Sequence, residues 1–335
     1  MIKLGLQLGY WMSATPPTDH LDLVLEAERL GYDSVWTAEA YGSDCFTPLA
    51  WYGSHTQRVR LGTAVTQISA RTPACTAMTA MTIDHLSGGR LILGLGVSGP
   101  QVVEGWYGQP FPKPMARTRE YIGILRRAWE REAPVTNDGP HYPMPYDGGT
   151  GLGKPLKLIT HPLRKSIPIF IGAEGPKNVE MCFEIADGWL PIFISPYRMG
   201  IYKEPLAKRR EGFEIAASVI VSVDDDLDKA LYPVKMMLGF YLGGMGAKKQ
   251  NFHVNLLNRM GFEHVTAKVQ DLFFAGKHDE AIAAIPDEMA DEIALCGSRD
   301  RIRDRLGAWR DSPVDTLMYG GGDVGVMRFL AEECA

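Results

Sequence analysis

The sequence predicts an α/β protein of the (β/α)8, or TIM-like, barrel class, and two observations on the 335-residue chain lead to that prediction. Short apolar runs alternate with segments of helical period along most of the chain, which is the pattern of a parallel sheet with helices between its strands. Eight such runs can be counted, and eight strand–helix units in a chain of this length fit a closed barrel better than an open sheet. A helical insertion and a glycine- and proline-rich loop excursion interrupt the pattern.

Each predicted strand is a short apolar run bounded by turn residues. The eight strands are expected at residues 2–8, 34–37, 59–65, 91–93, 168–171, 188–192, 215–223 and 315–319. The loops that follow the strands of a barrel converge on its axis, so we expect the chemistry at the C-terminal ends of the strands.

The predicted helices lie between these strands. The first carries Leu21, Val24 and Ala27 on one face and ends at Gly31, and a later one begins at the cap Thr72-Pro73. Further helices are predicted at residues 115–131, 178–186 and 298–310, with the loop excursion at about 133–166 and the helical insertion at about 227–292. We expect residues 1–335 to form a single domain.

The composition indicates a protein whose partner is a small molecule. The chain is 45% hydrophobic with a formal net charge of −5, and no run of lysine or arginine is long enough for a nucleic-acid or membrane surface. It has no leader-like segment and no apolar run that could span a bilayer, so a cytoplasmic location is expected. The five cysteines are scattered, which predicts neither disulfides nor a metal site.

A glycine-rich segment, Gly94-Leu95-Gly96-Val97-Ser98-Gly99, follows the fourth predicted strand. It matches a dinucleotide-binding pattern, but that pattern belongs after a first strand and needs an acidic residue at the end of the second. We therefore interpret it as a turn whose backbone can approach a flat or anionic ligand, with a simple tight turn as the alternative.

A second loop, Gly172-Ala173-Glu174-Gly175-Pro176-Lys177, lies between a strand and a helix. Its amides and the dipole of the following helix favour an anion, which predicts a phosphate-binding loop. Lys177 would add a positive charge there, although it is equally consistent with an exposed lysine on a solvated turn.

Acidic and aromatic side chains also follow the predicted strands. Glu39 and Glu174 could form the carboxylate pair of a glycosidase, or each could make hydrogen bonds within its own loop. The aromatic residues of these loops could wall a pocket or cover the core; they include Trp11, Tyr41, Trp106 and Tyr107. We find no histidine at the end of a strand and no metal-binding spacing.

Three segments together resemble the luciferase-like family of flavin and deazaflavin enzymes. They are residues 31–39, residues 61–65 with Arg71-Thr72-Pro73, and residues 84–96, which include Ser87-Gly88-Gly89-Arg90. Residues 172–177 followed by 184–189, and residues 255–262, are similar to the branch of reductases that use the deazaflavin coenzyme F420 and act on methylenetetrahydromethanopterin. The resemblance covers nearly the whole chain.

The resemblance implies a barrel with an insertion, hydride transfer at the deazaflavin C5 and a homodimer. It implies a non-prolyl cis peptide at Ala64-Val65 behind the ring, an acidic residue at Glu39, and a cofactor-tail loop at Gly172–Lys177. It places the ring or its ribityl chain along Val97, Ser98 and Gly99, with Gln67 also among the cofactor-binding residues.

Two positions depart from the F420-dependent sugar-phosphate dehydrogenases. Those enzymes carry a histidine where this chain has Ala40 and a glutamate where it has Gly99, so oxidation of a sugar hydroxyl lacks a base. We therefore expect reduction of an activated acceptor, with a proton from solvent, Glu39, Tyr41 or Glu104. The alternatives are an FMN-dependent monooxygenase of the same family, a glycosidase and a cofactor-binding protein without turnover.

Overall fold

The computed structural model describes residues 1–11, 15–245 and 251–334. Its strands, all paired in parallel, are β1 Lys3–Gly9, β2 Ser34–Thr37, β3 Arg60–Thr63, β4 Thr66–Gln67, β5 Leu91–Gly96, β6 Ile169–Ile171, β7 Gly188–Trp189, β8 Glu214–Val223, β9 Ala294–Gly297 and β10 Thr316–Tyr319. Pairing runs from β1 through β2, β3, β5, β6, β7 and β8 to β10, and β10 pairs back onto β1. The sheet is therefore closed, and the predicted (β/α)8 barrel is confirmed.

Helices follow the strands around the outside of the barrel. They are α1 His20–Arg29, α2 Phe46–His55, α3 Pro73–Leu86, α4 Pro100–Gly105, α5 Pro114–Glu130, α6 Pro176–Ile185, α7 Lys203–Ala207, α8 Leu227–Gly239, α9 Phe252–Arg259, α10 Glu263–Phe274, α11 His278–Ala283, α12 Asp287–Asp291, α13 Arg299–Asp311 and α14 Val324–Cys334. A 3-10 turn, Met199–Tyr202, precedes α7, and a π-helical turn, Phe240–Gly244, ends α8. Within the described ranges, no helix is long and apolar enough to cross a membrane.

Large side chains fill the interior of the barrel. Six buried residues form this inner cluster: Trp36, Ile92, Phe170, Leu190, Ala216 and Met318. Two strand glycines make room for its rings, because a Cβ at Gly62 would lie 2.1 Å from Trp36 and a Cβ at Gly188 would lie 2.6 Å from Phe170. The interior of the barrel is thus a packed core.

The third predicted strand is divided in two. A cis peptide bond between Ala64 and Val65 separates β3 from β4, as the resemblance implied. Above the break, β4 pairs with β5 through Thr66 and Gln67.

The interpretation of Gly94-Leu95-Gly96 as part of a turn is wrong, because these residues form the end of β5. The glycines are required by the adjacent strand. A Cβ at Gly94 would lie 1.8 Å from the Thr63 carbonyl oxygen, and a Cβ at Gly96 would lie 2.3 Å from a methyl group of Val65. Backbone crowding therefore explains the glycine pattern within the strand.

Other boundaries also differ from expectation. β7 ends at Trp189, earlier than predicted, and α2, α4 and α14 had not been anticipated. The sequence did not predict β9. The first half of β8 pairs with β10 in the barrel, and its second half, from Ile220, pairs with β9 outside the barrel. The predicted insertion at 227–292 contains α8 to α12, and residues 246–250 of it lie outside the described residues.

Arg90 ties together the loops at the N-terminal end of the barrel. Its guanidinium donates to the carbonyl oxygens of Ser87, Gly53, Thr56 and Val59 at 2.8–2.9 Å, and to the hydroxyl of Thr56 at 3.0 Å. These acceptors come from the end of α2, the approach to β3 and the turn before β5. The Ser-Gly-Gly-Arg segment is therefore a structural element at the end of the barrel opposite the strand C-termini.

Candidate active site

The floor of the barrel mouth is apolar and lined by small side chains. Ala64 and Val65 pack on the inner cluster from above, and both remain partly exposed. Gly96 and Gly172 flank Val65, and a Cβ at Gly172 would lie 3.2 Å from its Cγ1. Small side chains and bare backbone therefore leave a surface on which a planar ring can lie.

Glu39 is a buried carboxylate that joins neighbouring loops. Its Oε1 accepts the main-chain N–H of Gln67 at 3.0 Å, and its Oε2 accepts from the Arg71 guanidinium at 3.3 Å. The Gln67 side-chain amide donates back to the Glu39 carbonyl oxygen at 2.9 Å, while its own Oε1 is buried without a partner among the described residues. This arrangement holds the loops after β2 and β4 together; a catalytic role for Glu39 stays a prediction.

The other predicted catalytic residues lie toward the rim. Tyr41 is exposed in the loop after β2, and Glu104 is exposed on α4, where its carboxylate accepts the Phe111 N–H at 3.4 Å. Neither residue is held against the floor by a hydrogen bond that would aim it at a ligand. Their roles in proton transfer stay predictions.

The predicted pocket aromatics come from three loops. The Tyr107 hydroxyl donates to the Ala40 carbonyl oxygen at 3.0 Å, which fastens the loop after β5 to the loop after β2. The main-chain N–H of Trp11 donates to the Ser43 hydroxyl at 3.0 Å, which fastens the loop after β1 to the loop after β2. Trp106 is exposed beside them. The structure therefore brings these loops together on one side of the mouth.

The residues proposed to lie along the cofactor follow β5. Val97 is partly exposed, Ser98 adopts a left-handed backbone with φ of 56°, and Gly99 precedes the first turn of α4. The carbonyl oxygen of Gly99 accepts the N–H groups of Val102 and Val103. The chain thus turns sharply away from the floor directly after Val97.

The Gly172–Lys177 loop lies where β6 joins α6. Gly175 is the cap of that helix and supplies no side-chain hydrogen bond, Pro176 follows it, and Lys177 is exposed in the first turn. Ala173 is anchored from below, since its carbonyl oxygen accepts the Trp189 indole N–H at 2.8 Å. The loop offers an uncapped helix start and a cation next to the floor, as an anion site requires.

Sequence reasoning missed His253, which α9 of the insertion brings to the mouth. Its Nδ1 lies 2.9 Å from Oε2 of Glu174, and its ring is perpendicular to those of Tyr241 at 4.7 Å and Phe193 at 5.7 Å. The other candidates were chosen because they follow a predicted strand. No strand ends near His253 in the sequence, so this criterion could not find it. Its only signal was its position just before residues 255–262, which resemble the F420-dependent reductases.

Several phenols and a thiol at the mouth are held protonated. Burial, with smaller effects of Tyr10, Glu174 and Tyr41, raises the pKa of Tyr241 to about 12. Burial and Tyr41 likewise raise the pKa of Tyr10. Burial, reinforced by the charge of Glu39, raises the pKa of the Cys45 thiol. In the part of the chain that the structure describes, no metal-ligating cluster is present.

Comparison with known proteins agrees with this arrangement. The chain is 56% identical to a Mycobacterium tuberculosis protein named "Putative coenzyme F420-dependent oxidoreductase", over 98% of each chain. It is 29% identical to the 5,10-methylenetetrahydromethanopterin reductase of Archaeoglobus fulgidus, over 88% of this chain and 86% of that one.

A solved structure and a family model extend the comparison. The F420-dependent tetrahydromethanopterin reductase of Methanopyrus kandleri superposes with a TM-score of 0.77, at 23% identity, over 99% of this chain and 98% of that one, which supports the barrel fold. The model of the luciferase-like monooxygenase family matches residues 4–316. Because this match covers nearly the whole barrel, the chain belongs to the luciferase-like monooxygenase family.

Proposed function

We propose that this protein is a coenzyme F420-dependent oxidoreductase that works as a reductase on a small organic substrate. The 56% identity to a relative named for F420 dependence, over 98% of both chains, supports the cofactor. The structural observation that carries the proposal is the apolar floor at Ala64 and Val65, above a barrel whose interior is already filled.

The residues present fit the deazaflavin. Its planar ring suits an apolar surface of Ala64, Val65 and Val97 bordered by bare glycine backbone. Its tail is anionic and suits the helix start at Gly175 with Lys177 beside it. FMN shares the flat ring and the phosphate, so these features alone would admit it as a second ligand.

When bound, F420 supplies a hydride in a two-electron transfer. The protein contributes position and the exclusion of water. Trp11, Trp106 and Tyr107 would cover one side of the ring, since their loops are already fastened together over the mouth. The carboxylate–guanidinium contact between Glu39 and Arg71 keeps the loops around the floor in place.

A parallel titration with F420 and with FMN tests the cofactor. Purified protein should quench the fluorescence of F420 in a saturable manner and bind FMN more weakly under the same salt and pH. Tighter binding of FMN with oxygen-dependent turnover would contradict the proposal and favour a monooxygenase. Hydrolysis of a glycoside by protein free of any cofactor would favour the glycosidase alternative, for which the engagement of Glu39 by Gln67 and Arg71 leaves little room.

The direction of reaction can be tested separately. With Ala40 and Gly99 at the two positions named above, we expect reduced F420 to be oxidised by members of a panel of enones, imines and nitroaromatics. Oxidised F420 with glucose 6-phosphate should show no change in absorbance. The opposite pattern would mean that another residue supplies the base for alcohol oxidation.

We also propose that the protein is a homodimer of single-domain subunits. Trp51 on α2 and Met78 on α3 are exposed apolar side chains on helices that contact one another, and such surface favours association. Light scattering on the wild type should give twice the mass of one chain, and Trp51→Glu should shift the mass toward that of one chain. A wild-type monomer would refute the proposal.

A further inference from the structure

A carboxylate–imidazole pair at the mouth has no catalytic part in the function proposed so far. Glu174, in the loop after β6, and His253, on α9, bring Oε2 and Nδ1 within 2.9 Å, and both atoms are buried. The oxygen lies off the direction of a good hydrogen bond, and neither atom has another hydrogen-bond partner among the described residues. The distance is that of an ion pair, so a protonated imidazole would be stabilised by the carboxylate.

The position of His253 is set by the fold on several sides. Its helix begins at buried Asn251, whose side-chain oxygen caps the helix by accepting the Val254 N–H at 3.0 Å. The side-chain amide of Asn251 donates to the carbonyl oxygens of Tyr241 at 2.9 Å, Leu242 at 3.2 Å and Met245 at 2.9 Å. This cap joins α9 to the π-helical turn that carries Tyr241, so the imidazole and the phenol are held together above the mouth.

The charges around the imidazole are few. Glu174 is the carboxylate against Nδ1, and Tyr241, whose pKa is raised by burial, faces the ring while protonated. Arg259 donates to the main-chain oxygen of Glu174 at 2.6 Å, and burial raises the pKa of Tyr202 next to it. The Glu174 carboxylate therefore remains the group in direct contact with the imidazole.

This geometry has the arrangement of a general acid. A carboxylate at one ring nitrogen fixes the imidazole and stabilises its charged form, which leaves the other nitrogen to give up a proton. Nε2 of His253 has no hydrogen-bond partner among the described residues and is not enclosed as Nδ1 is. The pair lies beside Phe193, which follows β7, so it borders the same mouth as the floor.

We propose that His253 donates a proton from Nε2 to the substrate during reduction and that Glu174 is its positioning residue. This inference rests on the proposed function. The acceptor takes a hydride, with two electrons, from reduced F420 at its electron-poor carbon. It takes the proton at the atom where negative charge develops, while the N–H bond electrons stay on Nε2. The substrate gains two electrons and two hydrogens, and neutral His253 regains a proton from solvent.

Single-turnover measurements at saturating F420 test the step. We expect the rate in wild-type protein to fall as pH rises, because only a protonated imidazole can donate the proton. His253→Gln should reduce the rate by about 100-fold and remove this pH-dependent limb, since general acids contribute about 100- to 10,000-fold. F420 affinity should change less than about twofold, because a lost proton donor affects chemistry and leaves binding unchanged. His264→Gln, which alters an exposed histidine of the neighbouring helix α10, is the matched control and should behave as wild type.

Glu174→Gln separates a positioning role from a merely structural one. Loss of the carboxylate removes the group that holds Nδ1, so the single-turnover rate at saturating F420 should fall, by less than in His253→Gln. In protein without cofactor, nitrogen nuclear magnetic resonance should show a changed Nδ1 resonance of His253 in Glu174→Gln, which is a readout independent of turnover. This resonance also tests the contact should His253→Gln fail to fold.

The outcomes distinguish the two proposals. Wild-type protein that neither binds F420 nor turns over would overturn the proposed function. Wild-type turnover together with a His253→Gln rate within about twofold of it, and an unchanged pH profile, would overturn the inference and leave the function standing. An Nδ1 resonance of His253 that does not respond to Glu174→Gln would overturn the positioning role of Glu174.

Discussion

Replacing Arg90 tests whether the most recognisable segment of the sequence serves stability. The guanidinium makes five hydrogen bonds, four of them to main-chain carbonyl oxygens at the end of α2, in the connection from α2 to β3 and in the turn before β5. Arg90→Ala leaves these acceptors without a donor at the N-terminal end of the barrel. Because this end is remote from the mouth, the variant should lose stability and, below its unfolding temperature, keep its affinity for F420.

The expected loss follows from the number of acceptors. Leaving a buried acceptor unsatisfied costs about 1–3 kcal/mol, but Arg90 is partly exposed, so water can replace some of the five bonds. We therefore expect a loss of about 3 kcal/mol in the free energy of unfolding. An unfolding entropy of about 2.1 cal/mol/K per residue corresponds to about 0.7 kcal/mol/K for this chain, so Tm should fall by about 4 °C.

Thermal unfolding followed by circular dichroism measures this change. Arg58→Ala is the matched control, because Arg58 is a nearby exposed arginine whose side chain makes one hydrogen bond, to the Glu28 carbonyl oxygen at 2.9 Å. Its Tm should fall by less than about 1 °C. Arg90→Lys should be intermediate, since an ammonium cannot reproduce the planar fork. Equal effects of Arg90→Ala and Arg58→Ala would refute the reasoning, as would loss of F420 binding in a folded Arg90→Ala protein.

Three further predictions follow from other contacts. Gly94→Ala should unfold at a markedly lower temperature or be insoluble, because its Cβ would overlap a carbonyl oxygen, whereas Gly105→Ala, with no atom within 4 Å, should match wild type in the same melt. Burial raises the pKa of Glu214, but its bidentate arginine partner outweighs burial and lowers it overall, so the stabilisation is present at pH 7 and lost on acidification. Glu214→Gln should therefore have a lower Tm than wild type at pH 7, and its Tm should fall less between pH 7 and pH 4 than that of wild type. An equal fall in Tm in both proteins would contradict the assignment. Lys177→Ala should weaken F420 binding more at low salt than at high salt, because an exposed contact is screened, while Lys165→Ala, on the approach to β6, should bind as wild type at every salt concentration.

Some features of the site follow from local sequence. The end of a strand is visible in the sequence, and in a barrel every such end faces one mouth, so the residues after β2, β5 and β6 could be selected without coordinates. Residues 61–65, one of the segments that carried the family resemblance, also located the cis peptide at Ala64-Val65, which the structure confirms. Their assigned roles in catalysis and cofactor binding stay predictions.

Other features depend on contacts between distant segments. The glycines of β5 looked like a turn because sequence does not show that Thr63 and Val65 crowd the neighbouring strand. Ser87-Gly88-Gly89-Arg90 resembles a family signature, but only the folded chain shows that Arg90 donates to carbonyl oxygens of α2, of the connection to β3 and of the turn before β5.

The sequence by itself determined the barrel, its family and the edge at which chemistry occurs, because apolar periodicity and strand ends are local properties of the chain. Only the tertiary structure decided which polar groups meet at that edge. Glu39 is engaged by Gln67 and Arg71, and Glu174 is paired with His253 from a helix 79 positions further along the chain. The path of the insertion over the mouth is set by long-range packing, such as the Asn251 cap on the π-helical turn, and no local pattern encodes where such a helix comes to rest.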